Sequence, residues 1–273
     1  MMQIPIVDSK KTSRSSQPVD GWSSRRSAVE LELPLKEPQT FEELIRQLRG
    51  VPKKTAVLGQ TSDGLPLLFN LDDARPSSLL VVADRFCGKT ALLKIMASSL
   101  ARFNRPEEVR FAVISSRPEE WMELETRFPG HFMKIVPNTG IEAEELIYHL
   151  CDLVEARQKG LRIGTAYVLI FDGMESLAQM DVDLRANFEW LVRSGARQQI
   201  WPLGVLNSDS YLPASRYAEL FRTRIIGPVS DPRLAARFLP PRFHHSNFDE
   251  DQVKFTVRIH QHWLQFTLPD GRI

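Results

Sequence analysis

The chain has 273 residues, of which 42% are hydrophobic and 25% charged, values that are ordinary for a globular protein with a sizeable core. Its 35 basic and 34 acidic side chains give a net charge of +1, so no global field draws the molecule to nucleic acid or to an anionic membrane. Two cysteines, Cys87 and Cys151, exclude both a disulfide framework and a zinc ribbon.

The amino-terminal segment reads as a tail rather than as a leader. Residues 8–27 are rich in Ser, Lys and Arg and nearly free of apolar side chains, so we predict a disordered basic tail over 1–39 and a folded domain over 40–273. The basic tail could contact a phosphate backbone or only solvate itself. Because no apolar signal segment and no run of roughly 20 apolar residues is present, we expect a cytoplasmic chain without a transmembrane helix.

The elements that follow alternate between strand and helix patterns. A capping box formed by Thr40 and Glu43 predicts a helix that ends at Gly50, and a small hairpin comes next. Apolar segments then predict strands at 79–83, 109–115, 133–136, 166–171, 202–206 and 223–227, and helical patterns lie at 88–102, 140–160 and 184–193. This alternation predicts an α/β fold with a mostly parallel sheet covered by helices on both faces. The segment 253–268 alternates with period two and predicts an antiparallel addition at the sheet edge.

A phosphate-binding loop is the main chemical signal. An apolar strand is followed by a short loop and by Gly88, Lys89 and Thr90, which open a helix. Backbone N–H groups and the positive end of the helix dipole can cradle phosphates there, the lysine can bridge phosphate oxygens, and the threonine hydroxyl can bind Mg²⁺. The residues predicted to form the nucleotide-binding loop are Ala83, Asp84, Arg85, Phe86, Cys87, Gly88, Lys89, Thr90 and Ala91.

A second half-site supports the same chemistry. Asp172 ends a buried apolar strand, where an acid can complete the Mg²⁺ shell together with Thr90. Ala83 stands where the full loop pattern has its first glycine, so an ordinary strand-to-helix turn is the alternative to a phosphate loop. The two half-sites together favour a nucleotide site that takes ATP and Mg²⁺.

The order of these motifs resembles that of the FtsK/SpoIIIE family of P-loop ATPases, in particular the EccC-like ATPase modules of type VII secretion. The resemblance rests on the loop 83–90, on FDGMESL at 171–177, and on the segments around 191–210 and 220–238. It implies a RecA-like P-loop NTPase core that acts as a hexameric ring or in a tandem array, with nucleotide at subunit interfaces. The cargo of such motors is DNA in the translocase branch and protein in the secretion branch.

The resemblance also implies roles for single residues. Lys89 and Thr90 match the Walker A pair, Asp172 matches the Walker B acid, and Asn207 falls at a polar sensor position. Arg222 or Arg224 falls near the interface arginines that reach a neighbour's γ-phosphate, although a solvated strand end is an equal alternative.

One departure from the family's pattern bears on hydrolysis. The family has a water-polarising Glu directly after the Walker B Asp, whereas this chain has Gly173. Glu175 could substitute for that Glu, or it could be only a first-turn helix acid. Two functions therefore follow: a ring ATPase subunit that moves DNA or protein, or a degenerate nucleotide-binding module that stabilises or regulates an assembly.

Overall fold

The computed structural model describes residues 39–72, 78–161, 164–243, 253–259 and 261–270. The predicted tail at 1–39 therefore lies, except for residue 39, outside the described residues. Within the described ranges, each helix is too short or too polar to cross a lipid bilayer.

The described residues form one sheet of ten strands. In chain order the strands are β1 (Thr55–Gln60), β2 (Pro66–Asn70), β3 (Leu79–Ala83), β4 (Val109–Ser115), β5 (Phe132–Pro137), β6 (Ala166–Asp172), β7 (Ile200–Asn207), β8 (Thr223–Ile226), β9 (Lys254–Ile259) and β10 (His262–Thr267). Across the sheet their order is β2-β1-β10-β9-β8-β3-β7-β6-β4-β5.

Six neighbouring strands, from β8 to β5, run parallel, and the other four join them antiparallel. The parallel strands β3, β6 and β7 are buried along nearly their whole length, as their apolar sequences predicted. The carboxyl-terminal segment adds antiparallel to the edge of the parallel strands, as predicted, and its two strands β9 and β10 lie between β8 and β1. The hairpin β1–β2 continues the sheet beyond β10, so that β2 forms the outer edge.

Helices cover both faces of the sheet. The α-helices are α1 (Phe41–Gln47), α2 (Lys89–Phe103), α3 (Glu119–Arg127), α4 (Ile141–Gln158), α5 (Val182–Ser194), α6 (Tyr211–Ala218) and α7 (Pro232–Phe238). Short 3₁₀ turns lie at Met174–Gln179, Gly195–Gln198, Ser208–Ser210 and Pro241–Phe243. The helices α2 and α3 pack with Leu79 and Val81 of β3, whereas α4 to α7 pack with Leu80 and Val82 on the other face. The α/β fold class predicted from the sequence is therefore confirmed.

The first helix shows where the sequence pattern was right and where it was wrong. Both hydrogen bonds of the predicted capping box between Thr40 and Glu43 are present. The helix ends at Gln47, however, and not at Gly50, because Leu48 adopts an extended conformation with φ −88° and ψ 101°. Its buried side chain Phe41 packs against Val57 of β1 and Ile95 of α2, so α1 closes one flank of the sheet.

A close approach inside the sheet positions the turn after β6. Gly204 of β7 lies so near this turn that an added Cβ would sit 2.1 Å from Met174 Sδ and 3.1 Å from Phe221 Cζ. The Met174 side chain is buried, so it has little room to retreat. A glycine at 204 is thus what allows the 3₁₀ turn to pack on the sheet.

We expect Gly204→Ala to destabilise the fold by about 1–3 kcal/mol, because the added methyl group displaces Met174 in a packed core. Urea denaturation followed by circular dichroism measures this. Gly164→Ala is the matched control, since an added Cβ at 164 has no heavy atom within 4 Å, and its free energy of unfolding should stay within about 0.5 kcal/mol of wild type. Equal midpoints for the two variants would contradict the close approach.

Candidate nucleotide-binding site

A cleft of about 550 Å³ opens where the parallel strands β3, β7, β6 and β4 end. The strand register pairs Ala83 with Asn207 and pairs Asp172 with both Val205 and Ser115. Polar residues at or after these strand ends therefore share one edge of the sheet, which is where open α/β sheets bind their ligands.

The predicted phosphate loop connects β3 to α2 and forms one wall of the cleft. Residues 85–91 all line it, and α2 begins at Lys89 with its free amides directed to the loop. Gly88 has φ +73°, a left-handed conformation that glycine adopts at low cost. Ala83, in place of the first glycine of the pattern, is the last residue of β3 and has no positive φ, so this substitution strains nothing.

Phe86 is the unusual residue of this loop. Its φ is +62°, which costs a non-glycine residue on the order of 1 kcal/mol, and its side chain is 89% exposed. Next to it, burial and the carboxylate of Asp84 raise the pKa of the Cys87 thiol, which is therefore protonated at neutral pH.

Lys89 lies at the base of the cleft with its charge already partnered. Its ammonium donates to the backbone carbonyl of Ala83 at 3.1 Å and to that of Asp84. Burial lowers the pKa of Lys89, while the nearby carboxylates of Glu175 and Asp172 oppose that shift. A phosphate group would therefore meet a lysine that is desolvated and held in position.

The two residues predicted to hold a metal ion are in contact. Thr90 Oγ1 donates to Asp172 Oδ2 at 2.9 Å, and Ser115 Oγ donates to the same oxygen at 3.4 Å. Burial, with a further contribution from the charge of Glu120, raises the pKa of Asp172 despite these hydrogen bonds. A hydroxyl and a carboxylate side by side are the hard oxygen ligands that Mg²⁺ prefers, so the donor set fits the ion.

The turn after β6 determines which carboxylate reaches the cleft. Gly173 has φ +102°, and an added Cβ would lie 3.2 Å from Asn138 Nδ2, so a side chain at 173 would be strained and crowded. Glu175 instead lines the cleft, and the backbone N–H of Asn207 donates to its Oε1 at 2.6 Å. Two of the predicted site residues, one after β6 and one at the end of β7, are thereby joined.

Several residues of the cleft escaped the sequence analysis. Ser116, Arg117 and Glu120 follow β4, and Asn138 follows β5. Arg117 Nη1 donates to Glu120 Oε1 at 2.7 Å, and Asn138 Nδ2 donates to the Gly173 carbonyl at 3.3 Å. Ser116 and Asn138 had one signal in the sequence, a polar residue directly after a strand, and that signal has no meaning until the strand order is known.

Arg222 and Arg224 are the predicted residues that lie elsewhere. Arg224 pairs with Leu80 near the start of β3, and Arg222 precedes β8, so both are at the opposite end of these strands from the phosphate loop. Neither lines the cleft of its own chain. A role for either arginine in a neighbouring subunit stays a prediction.

Comparison with known proteins places the fold. No protein-family model and no curated protein matches the chain. Among solved structures, it is similar to ATPases 2 and 3 of Thermomonospora curvata EccC in complex with a signal sequence peptide, with a TM-score of 0.65 and 14% identity over 84% of this chain and 43% of that one. It is also similar to ATPases 2 and 3 of EssC from Geobacillus thermodenitrificans, with a TM-score of 0.65 and 12% identity over 88% of this chain and 48% of that one.

These likenesses define the class of fold. The chain has the RecA-like α/β fold of these EccC and EssC ATPase domains, as the resemblance in its motifs implied. It spans less than half the length of these EccC and EssC chains. At such low identity the likeness shows the fold alone.

The raised pKa of Asp172 gives a pH-dependent prediction. An ionised buried carboxylate destabilises the nucleotide-free fold above its raised pKa, and this cost disappears as the pH falls to the ordinary value for Asp, about 4. We therefore expect Asp172→Asn to increase the free energy of unfolding at about pH 8, with a gain that shrinks toward pH 4. Urea denaturation in EDTA measures both values, and an equal gain at the two pH values would assign the effect to packing instead of charge.

Proposed function

We propose that this chain is an ATPase-type module that binds Mg-ATP in the cleft at the carboxyl edge of its parallel sheet. The observation that carries the proposal is the 2.9 Å hydrogen bond between Thr90 Oγ1 and Asp172 Oδ2, which joins the start of α2 to the end of β6. An ordinary strand-to-helix turn does not require a hydrogen bond between a hydroxyl and a buried acid 82 residues apart in sequence, whereas a Mg-ATP site does require these two groups side by side.

The residues of the cleft divide the work of binding. Backbone amides of the loop and the amino end of α2 face the phosphates, and Lys89 exchanges its carbonyl partners for phosphate oxygens. Thr90 and Asp172 would hold Mg²⁺, which supplies positive charge to the polyphosphate when it is bound. Because Asp172 is buried and already hydrogen-bonded, its oxygens are oriented before any ligand arrives.

Hydrolysis requires a group that orients the attacking water, and we assign that role to Glu175. One of its oxygens accepts a hydrogen bond from the backbone N–H of Asn207, which orients the carboxylate at the carboxyl ends of β6 and β7. The backbone at Gly173 supports this assignment, since a side chain at that position would be strained. The interface arginine, which the resemblance in sequence implies, would be Arg222 or Arg224 of a neighbouring subunit, and neither lines the cleft of its own chain.

The wider assembly follows from the resemblance in sequence. We infer that modules of this type act in a homo-oligomeric ring or beside a tandem ATPase and couple Mg-ATP to the movement of DNA or protein. A second function, binding without turnover to stabilise an assembly, is favoured by the strained backbone of Phe86 in the loop.

Lys89→Ala tests binding. Loss of a charge-assisted contact to phosphate should weaken Mg-ADP and Mg-ATPγS by roughly ten- to a hundredfold, the equivalent of about 1.5–3 kcal/mol. Isothermal titration calorimetry measures the dissociation constants. Lys159→Ala, at the exposed end of α4, is the control and should bind like wild type. Unchanged affinity in Lys89→Ala would remove the phosphate-loop assignment.

Glu175→Gln separates an active motor from a binding module. The glutamine oxygen can still accept from the Asn207 amide, so binding should persist while the turnover rate falls about a hundredfold or more. Phosphate release at saturating Mg-ATP measures the rate, and Glu155→Gln on the surface of α4 is the control. Turnover that survives in Glu175→Gln would remove Glu175 from the mechanism, whereas a wild type that binds but never turns over would favour the second function.

A further inference from the structure

Asp84 belongs to the phosphate loop, yet its side chain is not part of the cleft wall. Its carboxylate contacts the exits of the two strands that flank β3. Ser208 Oγ, just after β7, donates to Oδ1, while the Ser230 amide, after β8, donates to Oδ2 at 2.7 Å. The Ser230 hydroxyl donates to Oδ2 as well. Three hydrogen bonds from two strand ends thus converge on one loop residue.

The backbone of Asp84 is held just as closely. Its amide donates to the Pro228 carbonyl at 2.8 Å, and its own carbonyl accepts from the Lys89 ammonium. The β8 exit can come this near only because Gly227 has no side chain: an added Cβ there would lie 2.8 Å from Ala83 Cβ. Asp84 is therefore hydrogen-bonded to residues after both neighbouring strands and to Lys89.

The charge of Asp84 makes this arrangement informative. Burial alone would raise the pKa of Asp84, but the hydrogen bonds from Ser208 and Ser230 outweigh it and hold the pKa below its ordinary value. An ionised carboxylate in a loop that faces phosphates repels the ligand, so the acid is unfavourable for binding unless it supplies something else. In this structure the carboxylate attaches the phosphate loop to the residues that follow β7 and β8.

The same hydrogen-bonded region includes a contact with Glu175, the carboxylate that we propose orients the attacking water. Ser208, which donates to Asp84, directly follows Asn207, whose amide donates to Glu175. Two consecutive residues at the end of β7 therefore contact different walls of the cleft: Asn207 contacts the turn after β6, and Ser208 contacts the phosphate loop. Displacing these two residues would disturb both walls of the cleft together.

We propose that Asp84 is a positioning residue that sets the phosphate loop against the β7 and β8 exits, so that Lys89 and the loop amides are oriented before nucleotide binds. The proposal rests on the proposed function of the cleft. It differs from a general stabilising role because it predicts a loss of nucleotide affinity that follows the three hydrogen bonds and not the overall stability of the fold.

The test compares Asp84→Ala, Asp84→Asn and Asp209→Ala by calorimetric titration with Mg-ADP. Asp84→Ala should bind about tenfold more weakly or worse, since the loop loses a charge-assisted anchor. Asp84→Asn should recover affinity to within about threefold of wild type, because Ser208 can accept from the new amide while Ser230 still donates to its oxygen. Asp209→Ala removes an exposed ion pair to Arg85 at 3.5 Å, in which both side chains are more than 60% exposed, and a hydrogen bond from Ser210 Oγ at 3.1 Å. It leaves the contacts of Asp84 in place and should bind like wild type.

A double variant keeps the test sharp if Asp84→Ala does not fold. Ser208→Ala with Ser230→Ala removes both hydroxyl donors, leaves the carboxylate in place, and should also weaken Mg-ADP by about tenfold. Thermal unfolding of each nucleotide-free variant shows whether affinity follows stability. Wild type that fails to bind Mg-ADP would defeat the proposed function, whereas wild-type binding with equal affinity in Asp84→Ala, or in the double variant, would overturn the positioning role alone. Loss without rescue in Asp84→Asn would overturn it too.

Discussion

The hydrogen-bonded register of β3, β7, β6 and β4 is the constraint on which the cleft depends. These strands are buried on both faces, so a slip by one residue would turn every apolar side chain to the wrong face of the sheet. The register is therefore fixed, and the strand ends keep their positions relative to one another. Thr90 contacts Asp172 and Asn207 contacts Glu175 because β3, β6 and β7 all end at the same edge of the sheet.

The sequence predicted the parts of the structure that depend on local pattern. The apolar strands, the capping box at Thr40, the phosphate loop and the acid at 172 each carry their signal within about ten residues. Arg117, Glu120 and Asn138 were missed because their presence in the cleft depends on which strand lies beside which, and sequence pattern does not encode that order. The helices α6 and α7 were missed as well, since they are only 8 and 7 residues long and offer too few turns to show an apolar period.

Three departures from the usual phosphate-site sequence have different physical meanings. Ala83 looked like damage to the loop, but it is a regular strand residue and costs nothing. Phe86 does carry a cost, because its backbone is left-handed and its ring is exposed. Gly173, finally, is required by the positive φ of its turn. The turn therefore excludes a Glu at position 173, and Glu175, two residues later, is the carboxylate that reaches the cleft.

The position of the β9–β10 hairpin has a consequence for folding. β1 reaches the sheet through β10, and the contact between Gln60 and Thr267 joins residues 207 apart in sequence. During synthesis the β1–β2 hairpin can pack on α2 early, but its edge stays unpaired until nearly the whole described chain has been made. Closing so long a loop late in folding is slow, and an unpaired strand edge in the meantime attracts other chains. A chaperone or a partner that covers this edge would therefore matter most during translation, before the sheet is continuous.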